Sequence, residues 1–167
     1  MTGWTRSAGH GGGVVYVEAS KSIEVNGLVT ANGMKAIAKT DGMSGAGAGG
    51  SICLKAPTFA AGASAVISAD GGPACNSVAS GAGAGGRIAI WTGAVFEESP
   101  NHRRIRYNAD EPGAGWDFVT CAVTPTTAGG TVTYQFPEDW PYSKAAEAGT
   151  VWFCQVKPKT GFMLIFR

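Results

Sequence analysis

A short phrase recurs three times along this chain at a nearly constant interval, and that repetition constrains the fold more than any other feature. Gly12-Gly13-Val14-Val15-Tyr16-Val17 matches Gly49-Gly50-Ser51-Ile52-Cys53-Leu54, which matches Gly85-Gly86-Arg87-Ile88-Ala89-Ile90. Gly50 lies 37 residues after Gly13, and Gly86 lies 36 after Gly50. A second phrase keeps step with the first. Leu28-Val29-Thr30-Ala31-Asn32-Gly33 is followed by Val66-Ile67-Ser68-Ala69-Asp70-Gly71, and Ile105-Arg106-Tyr107-Asn108-Ala109-Asp110 reads as a degenerate third copy. Two phrases on nearly one period are the signature of an array of like units, each burying its apolar face only against its neighbours.

The phrases are short, β-branched and bounded by glycine, which predicts strands of four to six residues. No window of ten or more residues carries a convincing helical apolar period. Composition agrees. Glycine supplies 26 of 167 residues, more than double its usual share of about 7%, and charged residues are only 15%. This excludes a coiled coil, a helix bundle and a polyelectrolyte tail. Collagen is excluded because the glycines have no strict triplet period. With 44% apolar residues the chain can bury a core, and its length is that of one domain.

The stretches Asp41–Ala48 and Ser77–Ala84, made mostly of glycine, alanine and serine, read as loops or sharp corners. There glycine supplies positive φ and small side chains let neighbouring coils approach. Strands at one period divided by such corners predict an all-β fold: a short parallel β-helix, or β-solenoid, of about three coils at residues 9–46, 47–82 and 83–112. The alternative is an antiparallel β-sandwich, which uses similar strands and turns without requiring a fixed period.

After Thr92-Gly93 the third repeat diverges into Glu97–Arg104, and the pattern of residues 1–112 ends. Residues 113–167 hold three of the five tryptophans and read as a C-terminal β cap or small appended β unit. Within them Thr131–Phe136 alternates, and Gly149-Thr150-Val151-Trp152-Phe153-Cys154 echoes the opening phrase. A cap is expected because an exposed strand edge invites aggregation. No comparable cap precedes Gly9, so the expectation at that end is a piece of a longer solenoid or an open end that stacks on another protein chain.

The run Gly-Gly-Ser/Arg-Ile-x-Leu/Ile, with Val66–Gly72 and Gly81–Ile90, resembles the glycine-rich repeats of large bacterial secreted and surface proteins that form right-handed parallel β-helices. Autotransporter passengers, adhesins and pectin-lyase-like solenoids are similar in architecture. The resemblance covers residues 9–93. It implies a β-helix and an extracellular or cell-surface location, and no catalytic motif of that group matches residue by residue.

Chemistry is sparse. Gly45-x-Gly47-x-x-Gly50 and Gly81-x-Gly83-x-x-Gly86 satisfy the dinucleotide fingerprint in letters only, since a strand follows each where a helix is required. Asp41, Asp70, Asp110 and Asp117 are the candidates for paired carboxylates or calcium ligands. Asp70 and Asp110 share a phrase position, but its first copy carries Asn32, which suits a ladder of turn residues better than an acid pair. His10 and His102 have no nucleophile at motif distance. Cys53, Cys75, Cys121 and Cys154 lack zinc spacing; a Cys121–Cys154 disulfide and free buried thiols are equally open.

Two features suit a glycan. Arg103 and Arg104 belong to the one basic cluster and are candidates for contact with an acidic polymer. Trp140 and Trp116 lead the candidates for a sugar-stacking platform, with Trp91, Tyr142 and Trp152 behind them. No catalytic, cofactor-binding or metal-ligating residue is assigned. A formal charge of +1 offers no surface for nucleic acid, and no apolar run approaches the ~18 residues of a membrane span or forms a secretory h-region. The expected function is a non-catalytic structural or adhesive module of a secreted or surface protein, with a glycan or another protein chain as partner. The alternatives are a polysaccharide-degrading enzyme, lyase or glycoside hydrolase, and a carbohydrate-binding module.

Overall fold

The computed structural model describes residues 6–38, 44–75, 80–96, 102–108, 120–132 and 146–158. Twelve strands run in chain order: β1 (Arg6–Ser7), β2 (Val14–Glu18), β3 (Ser22–Val25), β4 (Leu28–Thr30), β5 (Ile37–Ala38), β6 (Ser51–Lys55), β7 (Thr58–Ala61), β8 (Val66–Ser68), β9 (Arg87–Gly93), β10 (His102–Asn108), β11 (Thr120–Cys121) and β12 (Thr150–Pro158). The fold is all-β, with no helix among the described residues.

Equivalent strands of successive repeats lie side by side in parallel. The largest sheet has the order β10-β12-β9-β6-β2, the next β11-β7-β3, and β4 pairs with β8. Registers follow the phrase spacing: Val14 faces Ser51, Ser51 faces Arg87, and Leu28 faces Val66. The echo at Gly149–Cys154 is structural as well, since Thr150 on β12 faces Arg87 in parallel. This is not the antiparallel pairing of a sandwich; among the described residues only β1–β5 and β10–β12 pair that way.

Alternation within each strand sends every second side chain inward. Val15, Ile52, Ile88 and Val151 therefore form one continuous interior row, and Val17, Leu54, Ile90 and Phe153 form the next. Val25, Phe59 and Ala61 close the core from the second sheet, and Ile67 and Ala69 from the third side. Burial deepens along a row. Val17 is 40% exposed, whereas Leu54 is 2% and Ile90 0% exposed. Each repeat is covered by the next, and among the described residues the first has a neighbour on one side only.

Two sequence expectations are corrected here. Ile105–Asp110 is not the third copy of the second phrase. Residues 102–108 form β10, which pairs antiparallel with β12 at the edge of the largest sheet. The third copy is near Thr126, which bridges to Ser68, and Ala69 donates to the Thr126 carbonyl at 2.9 Å. The residues inserted between β9 and β11 displaced the count, and the letters of β10 matched only because strand residues are alike.

The second correction concerns the small-residue stretches, where the described parts, Ser44–Gly50 and Ser80–Gly86, are extended and hydrogen-bonded instead of looped. Burial in each repeats in threes: Ser44 and Gly47 are buried, Gly45 and Ala48 exposed, Ala46 and Gly49 intermediate. Three residues per turn without internal hydrogen bonds is the geometry of a polyproline-II-type helix. Such helices must bond to neighbours, and these do so in two directions. Ala46 and Gly49 donate to Gly81 and Ala84 of the next repeat at 2.9 and 2.8 Å, while Gly47 donates across to Met34 at 3.0 Å.

Two layers result, one from residues 8–13, 44–50, 80–86 and 146–149, the other from 31–36, 69–75 and 127–132. Gly72 donates to Gly47, Gly83 to Gly72 and Gly130 to Gly83, at 2.8 to 2.9 Å, so the bonding zigzags between layers. Glycine is needed here for closeness. A Cβ on Gly83 would sit 2.5 Å from the carbonyl carbon of Gly47. Among the described glycines only Gly93, at the end of β9, has positive φ.

Candidate functional site

The side chains opposite the core form the outer face of the largest sheet. Register sets them in rows: Tyr16, Cys53, Ala89 and Trp152 in one, and Glu18, Lys55, Trp91 and Cys154 in the next. Tyr16 and Trp152 stand at the two ends of their row, 60% and 37% exposed, and the two side chains between them are small. Three strand spacings of about 4.8 Å put them roughly 14 Å apart. Trp91 is diagonal to Trp152 across neighbouring strands, and Phe96, just beyond β9, is 43% exposed. Cys53 and Ala89 thus make a floor of small side chains between the aromatic residues of this face.

A polar chain stiffens one side of this floor. The Tyr16 hydroxyl donates to Glu18 Oε1, which also accepts from Lys55 Nζ at 2.9 Å across the repeat boundary. Lys55 Nζ in turn lies 4.8 Å from the centre of the Phe96 ring, within cation–π range. The hydrogen bond from Tyr16, with that from Lys55, holds the Glu18 carboxyl below the usual carboxylate range, and the same contact raises the Tyr16 phenol. Burial pushes the Cys53 thiol up, so it is a weak nucleophile at neutral pH. Burial does the same to Cys121.

Of the sequence candidates, Trp140 and Trp116 lie outside the described residues, as do Tyr142, Asp41, Asp110 and Asp117. Arg103 and Arg104 lie on β10, opposite Lys157 and Val156 of β12. Trp91 and Trp152 are the tryptophans brought to the outer face. Tyr16, Lys55 and Phe96 were not singled out, although aligning the opening phrases column by column puts Tyr16, Cys53, Ala89 and Trp152 in one register. Phe96 carries no such signal, because it follows the last repeated residue.

Asp70 takes part in a ladder between repeats. Its backbone N–H donates to Asn32 Oδ1 at 2.7 Å, and its own Oδ1 accepts from the Ala128 N–H at 2.7 Å. Its other oxygen accepts from Thr126 Oγ1 at 3.1 Å. The residue at its place in the third copy is thus Ala128, and pairing it with Asp110 by sequence was an error of the same inserted segment. Among the described residues no group of three or more His, Cys, Asp or Glu side chains is placed to hold a metal ion. No described helix is long and apolar enough to cross a membrane.

Compared with protein-family models, with curated proteins and with solved structures, the chain finds no match in any of the three.

Proposed function

We propose that this chain is a β-solenoid module with a structural or adhesive role in a secreted or cell-surface protein, acting without catalysis. The observation that supports it is the in-register parallel stacking of β2, β6, β9 and β12 over close-packed glycine layers. Such a stack is stiff because each repeat is bonded to the next along its strands and through both layers. It offers long, regular faces for contact with a partner. The surface location rests on the resemblance of the repeats to those of bacterial surface solenoids.

The test of architecture is an insertion. A copy of Ser44–Ala79 placed immediately before Ser80 adds one 36-residue repeat in phase. A solenoid accepts it, grows by about 4.8 Å along its axis and unfolds as one unit. Loss of cooperative folding on insertion would sink the solenoid. Release of reducing ends or unsaturated uronates from a polysaccharide panel, with calcium or chelator, would instead sink the non-catalytic role.

A second reading, carbohydrate binding, is favoured by the Tyr16–Trp152 row. Aromatic faces bordering a shallow floor stack on the apolar faces of sugar rings. Affinity electrophoresis in gels of neutral and acidic polysaccharides tests it. Retardation lost in Trp152→Ala and Tyr16→Ala supports this reading, and equal migration of both variants and the parent overturns it.

A further inference from the structure

The dipeptide Asn-Gly occurs twice in this chain, at Asn26-Gly27 and at Asn32-Gly33. Wherever it is free it is chemically vulnerable, because glycine has no Cβ to screen its nitrogen from the carboxamide carbon that precedes it. The fold treats the two copies differently. Gly33 N–H donates to the Asp70 carbonyl at 2.8 Å and Asn32 Oδ1 accepts from the Asp70 N–H at 2.7 Å, so nitrogen and carboxamide are both tied to the next repeat. That site is also closed in, since a Cβ on Gly33 would lie 2.6 Å from the Gly47 carbonyl carbon. The next rung, Asp70-Gly71, is tied to Ala128 in the same way. Asn26 and Gly27 instead form the exposed bend between β3 and β4. Among the described residues the Gly27 N–H has no hydrogen-bond partner, and a Cβ built on Gly27 meets nothing within 4 Å. The Asn26 carboxamide makes its bond at the surface, from Nδ2 to Glu24 Oε1 at 2.8 Å.

We propose that Asn26 is a site of spontaneous deamidation, while Asn32 in the same dipeptide is protected by its bonds to the next repeat. The Gly27 nitrogen gives its proton to water and attacks Asn26 Cγ. The Cγ–Nδ2 bond then breaks, and Nδ2 takes its proton from water and leaves as ammonia. A water molecule opens the succinimide so formed, so that the net change consumes one water and releases one ammonia, with no oxidation or reduction. Opening at Cγ gives aspartate; opening at the backbone carbonyl gives isoaspartate, whose main chain runs through the former side chain and is one carbon longer. Either product places a second carboxylate beside Glu24 and lowers the formal charge of +1 by one. The position gives the change a consequence. Three bonds join the first repeat to the second around this bend: Gly62 N–H to the Val25 carbonyl at 3.0 Å, Ser64 Oγ to the Asn26 carbonyl at 3.0 Å, and Val66 N–H to the Gly27 carbonyl at 2.8 Å. Isoaspartate lengthens the chain between the Val25 and Gly27 carbonyls and moves these acceptors out of step with their donors.

The test incubates the full chain at neutral pH and body temperature in heavy-oxygen water, once folded and once in guanidinium chloride. Peptide mapping then reads labelled aspartate and isoaspartate at both positions. In the denatured chain, where neither dipeptide is held, the two react at similar rates. In the folded chain Asn26 should react at least about tenfold faster than Asn32, the discrimination that two hydrogen bonds supply. Equal rates in the folded chain overturn the proposal, and so does a folded chain in which Asn26 stays intact while the denatured chain converts both. Gly27→Ala, whose Cβ has open space, should slow the change at Asn26, and product formed at the parent's rate would exclude the Gly27 nitrogen as the attacking atom. Hydrogen exchange at the Gly62 and Val66 amides should be faster in the purified isoaspartate form than in Asn26→Asp, and equal exchange would refute the loosening of the two repeats.

Discussion

Two glycines in one segment separate closeness from flexibility as the reason for this composition. A Cβ on Gly83 would lie 2.5 Å from the Gly47 carbonyl carbon, whereas one on Gly81 meets nothing within 4 Å. Neither residue has positive φ, so alanine is conformationally acceptable at both. In Gly83→Ala the layers must part by about 1 Å to restore ordinary contact, an overpacking cost of roughly 1–3 kcal/mol. The bonds from Gly83 to Gly72 at 2.9 Å and from Gly130 to Gly83 at 2.8 Å stretch with them. Each buried group left without a partner adds about 1–3 kcal/mol. The expected loss is about 3–6 kcal/mol, a large part of the ~5–15 kcal/mol that holds a domain folded. Gly81→Ala should leave stability unchanged or raise it by about 0.4–1 kcal/mol, because alanine has fewer unfolded conformations to lose. Urea unfolding followed by tryptophan fluorescence measures both, with a midpoint drop of at least ~1 M expected for Gly83→Ala alone. If the two variants unfold together, close packing is not what fixes these glycines.

The remaining expectations concern polar groups. Asp70→Asn keeps an acceptor for the Ala128 N–H, as Asn32 already does for the N–H of Asp70, and should cost little, while Asp70→Ala leaves that exposed donor to water and should lower stability by about 0.5–1.5 kcal/mol in urea melts. Glu18 has its folded carboxyl pKa lowered by Tyr16 first and Lys55 second, so its contribution is present above the unfolded pKa and is lost as pH falls through the folded one. In an NMR titration Tyr16→Phe should raise the Glu18 midpoint more than Lys55→Met does; the reverse order would refute the assignment. Thr92 is 2% exposed and its hydroxyl has no partner among the described residues, so Thr92→Val should be neutral or stabilising by calorimetry, and a loss above about 1 kcal/mol would mean the hydroxyl has a partner.

The strand stack was legible because the interval between phrases is the register. Once Val14, Ser51 and Arg87 are aligned by glycine pairs, alternation names the inward rows and the outer row containing Tyr16 and Trp152. The same letters failed at β10. Its run of strand residues carries no mark of whether it stacks on an equivalent or covers an edge, and the inserted segment removed the spacing that would have told. The glycine stretches were misread for a related reason. A corner and a close-packed extended helix call for the same small residues, and only the partner across the gap distinguishes them.

The sequence by itself determined the period, the strand phrases and which side chains share a row, since all three depend on order along one chain. What only the tertiary structure decided is where backbone meets backbone. Gly83 is constrained by the carbonyl of Gly47, 36 residues earlier, and Asp70 is occupied by Ala128, 58 residues later. Glycine carries no side chain through which a sequence could name its neighbour. The meaning of a glycine therefore exists only once the repeats are laid against each other.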